Sequence, residues 1–289
     1  MPTAPVYADL HAHTTASDGT ETPTELVTLA RAAGLTYLAV TDHDTTAALA
    51  EAERAAREVG IRLLPGVELS AEGKPGKCHL LGLGIDPSHA PLTETLAALS
   101  ESRRRRNEQM VERLHALGAP LTLDEITALA PPGANIGRPH FAHALIVRGY
   151  VRDNAEAFAK YLADDAAAYV TKKTLTPAAA IDLVHAAGGL CFIAHPGLLR
   201  LAEHETYETR LRALQAVGLD GLEAYYSAYT PALTDQLVRL AAKLDLLVTG
   251  GSDFHGANKA HVTLGAVLDG GPLPASLLPH TLLDRALPA

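Results

Sequence analysis

Tryptophan is absent from this chain of 289 residues, phenylalanine occurs four times and cysteine twice. Cys78 and Cys191 are too few and too far apart for a disulfide framework or a thiolate metal site, so a reducing compartment is expected. Cations are also scarce. Against 33 Asp+Glu stand 24 Lys+Arg, a formal net charge of −9. An extended duplex-binding surface needs many unopposed cations, so any phosphate handled here must meet a local cluster or a metal. No apolar run approaches the roughly 18 residues of a spanning helix, and no basic, apolar leader is recognisable. Membrane and secretory classes are set aside, a cytoplasmic protein is expected, and no protein partner is predicted. The remaining composition, 47% apolar and 20% charged, suits a folded chain with a sizeable core.

Short apolar runs at 6–11, 35–41, 61–69, 79–85, 190–194, 221–225 and 246–249, bounded by Gly and Pro, read as buried parallel strands. Helix starts lie between them. Thr22-Pro23-Thr24-Glu25 supplies an N-cap, a proline at the first helical position and a capping-box glutamate; Thr176-Pro177 and Thr230-Pro231 repeat the Thr-Pro half. Gly34, Gly60, Gly188 and Gly218 stand at expected C-caps. The βα unit therefore recurs at both ends of the chain, as in a βα barrel. From about residue 96 to 168 only helical periodicity is present. The predicted organisation is α/β: a barrel from 1–95 and 169–289, interrupted by an all-helical insertion, 96–168, in which Pro131-Pro132-Gly133 marks a turn. Within the insertion the stripe Leu96, Leu99, Met110, Leu114, Leu117 has a gap filled by Arg103 and Arg106. Those two arginines face inward, while Arg104 and Arg105 do not.

Histidine is abundant, with fourteen copies, and many of them sit where a predicted strand ends. Asp9-Leu10-His11-Ala12-His13 closes the first run, and residues two apart on a strand share a face. Thr41-Asp42-His43 ends the second and Pro65-Gly66-Val67-Glu68 the third, with His79 shortly after. Ala194-His195-Pro196 and Gly250-Gly251-Ser252-Asp253-Phe254-His255 end later runs. In a parallel barrel those ends form one rim, where catalytic sites assemble. Imidazoles and carboxylates crowded together are costly unless divalent cations turn the crowding into coordination. A nitrogen and oxygen donor set without thiolate suits Mn, Fe or Zn, and there are enough donors for two or three ions.

This ordered series, with Asp18 in Ser17-Asp18-Gly19, closely resembles the PHP (polymerase and histidinol phosphatase) family of metal-dependent phosphoesterases over nearly the whole chain. The resemblance implies an irregular seven-stranded βα barrel. It also implies that His11, His13, Glu68 and Asp253 hold one metal, Glu68, His79 and His195 a second, and Asp18, His43 and His255 a third, with Glu68 bridging. The chain is most similar to the branch containing RNase AM and the 3′,5′-nucleoside bisphosphate phosphatases. That likeness rests on Arg103, Arg106 and Asn107, on 136–142 (Ile-Gly-Arg-Pro-His-Phe-Ala), on Tyr161-Leu162 and Ala168-Tyr169-Val170, and on Gly221-Leu222-Glu223. One segment departs from it. Where such sequences often carry a Gly/Lys-rich turn before Tyr169, this chain reads Ala163-Asp164-Asp165-Ala166-Ala167, so a substrate cation expected there is missing.

The resemblance implies hydrolysis of the 5′ phosphoryl linkage of 3′,5′-bisphosphate nucleotides or short RNA. Glu68, His195 and His255 would carry the chemistry, with His195, His255 or a metal aiding departure of the alcohol. Arg103, Arg106, Arg138 and His140 would bind substrate. Three alternatives stand beside it: a phosphatase on another small monoester such as histidinol phosphate, a zinc amidohydrolase, and a metal-stabilised barrel acting as a binding module. Plainer roles are weighed for single residues. Asp42 and Asp44 are expected to orient imidazoles around His43. Arg103 and Arg106 have the alternative of a carboxylate across a helix interface, and Arg138 and His140 that of helix caps. Cys78 and Cys191 read as core residues. His89, His115, His185, His204, His261 and His280 receive no function.

Overall fold

Runs of buried apolar residues set the strands of the computed structural model, which describes residues 5–74, 76–130 and 134–289. The Pro131-Pro132-Gly133 turn lies outside the described residues. Strands β1 (Tyr7–Asp9), β2 (Tyr37–Val40), β3 (Arg62–Ala71), β4 (Cys78–Leu83), β5 (Leu190–Ile193), β6 (Gly221–Tyr226) and β7 (Leu247–Gly251) coincide with the seven predicted runs. Two more, β8 (Ala266–Leu268) and β9 (Gly271–Pro274), join them in one nine-stranded sheet ordered β7-β6-β5-β4-β3-β2-β1-β9-β8. Among the described residues the count is thus nine rather than seven. β8 is only three residues long and Gly and Pro interrupt β9, so no apolar run of strand length marks either in the sequence.

The sheet is not wholly parallel. β4 runs antiparallel to both β3 and β5, and β9 antiparallel to β1. A parallel crossover takes a dozen or more residues, and the 72–77 connection is too short for one.

The two ends of the main sheet meet immediately beyond β1 and β7. Leu10 N–H donates to Gly250 O (3.0 Å), Asp253 N–H to His11 O (2.8 Å) and His13 N–H to Phe254 O (2.9 Å). Asp9 reinforces the seam, its buried carboxylate accepting from the Ser252 backbone (2.9 Å) and hydroxyl (2.6 Å). Gly251 permits the approach, because a Cβ there would stand 2.4 Å from His11 Cβ. The nearly closed barrel is therefore stitched at the residues expected to carry function.

Helices α1 (Pro23–Ala32) and α2 (Leu49–Val59) pack on the N-terminal half. Thr22 and Glu25 form the predicted capping box, and Gly60 closes α2 in the left-handed region (φ 73°). Between β4 and β5 lie α3 (Ala90–Ala116), α4 (Leu123–Ala128), α5 (Arg138–Val147), α6 (Asn154–Ala157) and a π-helical turn at Phe158–Leu162. Leu96 and Leu99 on α3 join the barrel core, whereas Met110 and Leu114 join a separate cluster with Phe141, Leu145 and Leu162. One long helix thus spans both cores, with Arg103 and Arg106 buried at the junction. Leu117, beyond the helix end, is exposed rather than inward. The chain returns through α7 (Pro177–Ala186), α8 (Tyr207–Gln215), α9 (Pro231–Leu244) and α10 (His280–Leu283). Among the described residues no helix is long and apolar enough to cross a membrane.

Candidate metal centre

Nine side chains converge on one place, eight from strands or the segments that leave them and Asp18 from a turn. Glu68 lies on β3, and His43 pairs with it through an isolated parallel bridge. His79 sits opposite Ser70 in the β3–β4 register. His11 and His13 leave β1, His195 leaves β5, and Asp253 and His255 leave β7. Asp18 enters from a tight turn in which Ser17 and Gly19 donate backbone N–H to Thr14 O. His195 (φ 32°) and Asp253 (φ 57°) occupy the left-handed region, which side chains of L-residues disfavour and which recurs at functional sites.

Glu68 is the centre of the cluster. Its Oε1 lies 2.9 Å from His79 Nδ1 and 3.1 Å from His195 Nε2. Its Oε2 lies 3.0 Å from His43 Nδ1, 3.2 Å from His13 Nε2 and 3.4 Å from His11 Nε2. Asp253 Oδ1 stands 3.5 Å from His11 Nε2 and 3.4 Å from His13 Nε2. Asp18 faces His255 at 3.3 Å and His43 at 3.9 Å. Three compact groups emerge that could each hold an ion: His11-His13-Asp253, His43-Glu68-His79, and His13-Asp18-His43-His255.

The donor set fits metal ions on independent grounds. Asp18 Oδ1, His43 Nδ1, Glu68 Oε2 and His79 Nδ1 are buried without a hydrogen-bond partner, a costly state unless coordination satisfies them. His11 Nε2 and His13 Nε2 point at each other across 3.1 Å. Burial alone would raise the carboxyls of Glu68 and Asp18, but the surrounding imidazoles outweigh it and hold both well below the usual carboxylate range. Burial, aided by His13 and His79, pushes His43 down to about 3 despite Glu68 and Asp18. That leaves His43 as the neutral imidazole a metal takes.

Supporting contacts differ from the expected ones. Asp42 accepts from Thr14 N–H (2.9 Å), Thr14 hydroxyl (2.7 Å) and Ser17 hydroxyl (2.6 Å), and so fixes the Asp18 turn. Asp44 accepts from Ser70 N–H, Lys172 and Arg103. Neither acid bonds an imidazole directly; Asp42 reaches one only through the Ser17 hydroxyl, which lies 3.5 Å from His13 Nδ1. Glu223 bonds one directly. Its Oε1 meets His11 Nδ1 at 2.9 Å, while its Oε2 accepts the His195 backbone N–H at 2.7 Å. An acid inside the apolar run of β6 was the available signal.

On the His79 and His195 side a cavity of about 520 Å3 is lined by Lys77, Arg138, Asp164, Tyr169 and Lys172. Of the four residues expected to bind substrate, Arg103 is ion-paired with Asp44. His140 Nδ1 accepts the Gly137 N–H (3.0 Å) at the start of α5. Arg138 donates to Leu162 O (3.1 Å) and Asp164 (2.9 Å). Arg106 is different: it is only 6% exposed and among the described residues has no hydrogen-bond or ion-pair partner. Burial and the neighbouring Arg103 and Arg138 push it down to about 10.

Lys172 and Lys77, which no sequence pattern marks, add two cations. Lys77 Nζ meets Asp164 at 2.7 Å and Tyr169 hydroxyl at 3.3 Å. The 163–167 segment therefore contributes a carboxylate to this wall, and the cation there comes from the β3–β4 connection. His185 pairs with Asp220 and His115 with Leu121 O, structural roles in keeping with their unassigned status.

Comparison with known proteins agrees with this geometry. The PHP domain family model matches residues 9–165. A protein of Haemophilus influenzae named 5′-3′ exoribonuclease is 39% identical, over 86% of this chain and 89% of its own length. A 3′,5′-nucleoside bisphosphate phosphatase of Chromobacterium violaceum is 35% identical, over 92% of this chain and 93% of its own. A crystal structure from Bifidobacterium adolescentis, described as of a metal-dependent phosphoesterase, superposes with a TM-score of 0.86 at 36% identity, covering 99% of this chain and 98% of that one.

Proposed function

The chain belongs to the PHP family and is a metal-dependent phosphoesterase, and on that footing we propose that it hydrolyses nucleotide phosphate esters using two or three Mn, Fe or Zn ions. The observation that carries this reading is the Glu68 carboxylate with five imidazole nitrogens within 3.4 Å. His11, His13, Glu68 and Asp253 would hold one ion, Glu68, His79 and His195 a second, and Asp18, His43 and His255 a third. Bound divalent ions supply charge to the phosphoryl oxygens and activate water for in-line displacement.

The chain's own residues do the rest. Glu223 fixes the orientation of His11 through Nδ1, as carboxylates behind ligating imidazoles do. His195 and His255, on opposite sides of the cluster, are placed to hand a proton to the leaving oxygen. We divide the chain into a PHP barrel, 1–95 and 169–289, and a helical insertion, 96–168, that serves as the specificity element. The names of two relatives, 5′-3′ exoribonuclease and 3′,5′-nucleoside bisphosphate phosphatase, point to a ribose with phosphoryl groups on both sides as the substrate class of this chain. We place one such group at the metals and the second in the cationic cavity beside Lys172 and Arg138, with the buried Arg106 next to Arg138.

A monoester without a second anion, such as histidinol phosphate, leaves those buried cations unused. A panel under Mn separates the readings: a 3′,5′-bisphosphate nucleotide, a mononucleotide, short 5′-phosphorylated RNA, histidinol phosphate and an amide. The bisphosphate and RNA are the expected best substrates, and Glu68→Gln should abolish both activities while metal analysis shows lost ions. Preferred hydrolysis of the amide, or near-normal turnover by Glu68→Gln, would overturn the proposal.

A further inference from the structure

Asp253 uses its two oxygens differently. Oδ1 faces the imidazoles, 3.5 Å from His11 Nε2, 3.4 Å from His13 Nε2 and 3.3 Å from His255 Nδ1. Oδ2 accepts instead from the Tyr226 hydroxyl at 2.8 Å and the Lys259 ammonium at 2.6 Å. Neither partner belongs to the three groups that could hold an ion. Tyr226 closes β6, and Lys259 ends a 3-10 turn, Gly256–Lys259. That turn is fixed against the segment that carries Asp18: Ala257 N–H donates to Thr20 Oγ1 (2.9 Å) and Asn258 Nδ2 to Asp18 O (2.8 Å).

The backbone at Asp253 depends on neither side chain. Its own N–H donates to His11 O, Ser252 before it is held by Asp9, and the Ser227 hydroxyl donates to Ser252 O (2.8 Å). Tyr226 and Lys259 decide only the rotation of the carboxylate. Turning it would exchange the two oxygens and give up both hydrogen bonds, one of them charge-assisted and so of the stronger kind. A carboxylate held in this way offers one oxygen to an ion beside His11 and His13.

Lys259 acts on such an ion in two opposing ways, since its charge repels the ion while its hydrogen bond holds the ligand ready. The Asp253 side chain is 4% exposed and that of Lys259 33%, on the wall of a cavity of about 640 Å3 beside Asp18, His43 and His255. The higher dielectric on that side weakens the repulsion, and the buried carboxylate keeps the benefit of being oriented. We infer that Lys259 and Tyr226 are positioning residues of the metal centre, which lock Asp253 with Oδ1 alone toward the ion and thereby set how tightly that ion is held. The inference rests on the metal-centre reading above.

The test follows Mn retention by the full-length, Mn-loaded enzyme against a graded chelator, and in parallel the Mn concentration that half-restores activity on adenosine 3′,5′-bisphosphate. Lys259→Met keeps the stem and removes the ammonium, and Tyr226→Phe keeps the ring and removes the hydroxyl. In Lys259→Met half of the Mn should leave at a chelator concentration at least about tenfold lower than in the wild type, as for other partners that stand behind a metal ligand. The Mn needed for half activity should rise to match. Tyr226→Phe should show a smaller loss of the same sign, and Lys259→Arg, which keeps a charged donor, should retain Mn as the wild type does. Melting in excess Mn checks the fold; if Lys259→Met melts early, the nearly isosteric Tyr226→Phe decides. Unchanged or tighter Mn retention in a folded Lys259→Met, or unchanged retention in Tyr226→Phe, would overturn the inference. So would a loss of activity that excess Mn does not restore, which would make Lys259 a substrate contact. A wild type that holds less than one Mn per chain would instead sink the metal-centre reading, and this inference with it.

Discussion

His11 and Glu223, 212 residues apart, meet at 2.9 Å between Nδ1 and Oε1, and both side chains are fully buried. The contact fixes which ring nitrogen of His11 faces the cluster. Burial would keep His11 neutral, but Glu223, Asp253 and Glu68 reverse that and raise its pKa well above the ordinary histidine value. The pocket attracts positive charge before any ion enters.

Glu223→Gln should therefore weaken metal binding without unfolding the barrel. Loss of a carboxylate behind a ligating imidazole typically costs about 10- to 100-fold in metal affinity or activity. Isothermal titration with Mn measures it directly. An unchanged affinity would mean that Glu223 only ties down the His195 backbone.

Arg106→Ala should raise KM for a 3′,5′-bisphosphate at least about tenfold, since a charge-assisted hydrogen bond is worth about 1.5–3 kcal/mol and 1.4 kcal/mol is a decade. Turnover of a small monoester should change little. Because Arg106 is a buried cation without a carboxylate partner, its removal should not lower the melting temperature. A marked drop in Tm would recast it as structural.

Asp164 binds Arg138 and Lys77 with its two oxygens, occupying donors that a phosphate would use. It acts as a tethered competitor. Asp164→Asn should lower KM for the bisphosphate several-fold and leave kcat on a monoester unchanged. Steady-state kinetics on the two substrates decides it, and a raised KM would show that Asp164 positions the cations instead.

Lys172 gives the cavity a pH dependence. Burial, reinforced by Arg103 and Arg106, pushes its ammonium from 10.5 down to about 8 despite Asp44. The folded protein loses this charge as pH climbs through about 8, so KM for a doubly phosphorylated substrate should rise above that pH. Stability moves the other way: between about 8 and 10.5 the unfolded lysine still binds its proton, so folding becomes more favourable as pH increases. Lys172→Arg keeps its charge and should flatten the KM profile. The same rise in that variant would place the titrating group elsewhere.

Much of the rim is legible along the chain. Strand runs end in His11, His43, Glu68, His195 and Asp253 because buried strands need local apolar continuity, and catalytic side chains must sit where that continuity stops. The helical stretch after β4 is equally plain, since periodicity and caps are local properties. The hairpin of β8 and β9 is not, because strands this short carry no pattern of their own.

Partnership between distant side chains is a tertiary property. In sequence Arg103 and Arg106 are two inward arginines on one stripe; the fold pairs Arg103 with Asp44 and leaves Arg106 without a partner among the described residues. Asp42 and Asp44 flank His43 yet turn to other donors, while Glu223 reaches across the barrel to His11. Asp164 meets Lys77 only because the helical segment folds back over the β3–β4 connection. Residue type and spacing determined that this chain gathers imidazoles and carboxylates at strand ends. Which charges cancel and which stay available is decided by barrel closure, because a Coulomb contact depends on separation in space and sequence distance carries no trace of it.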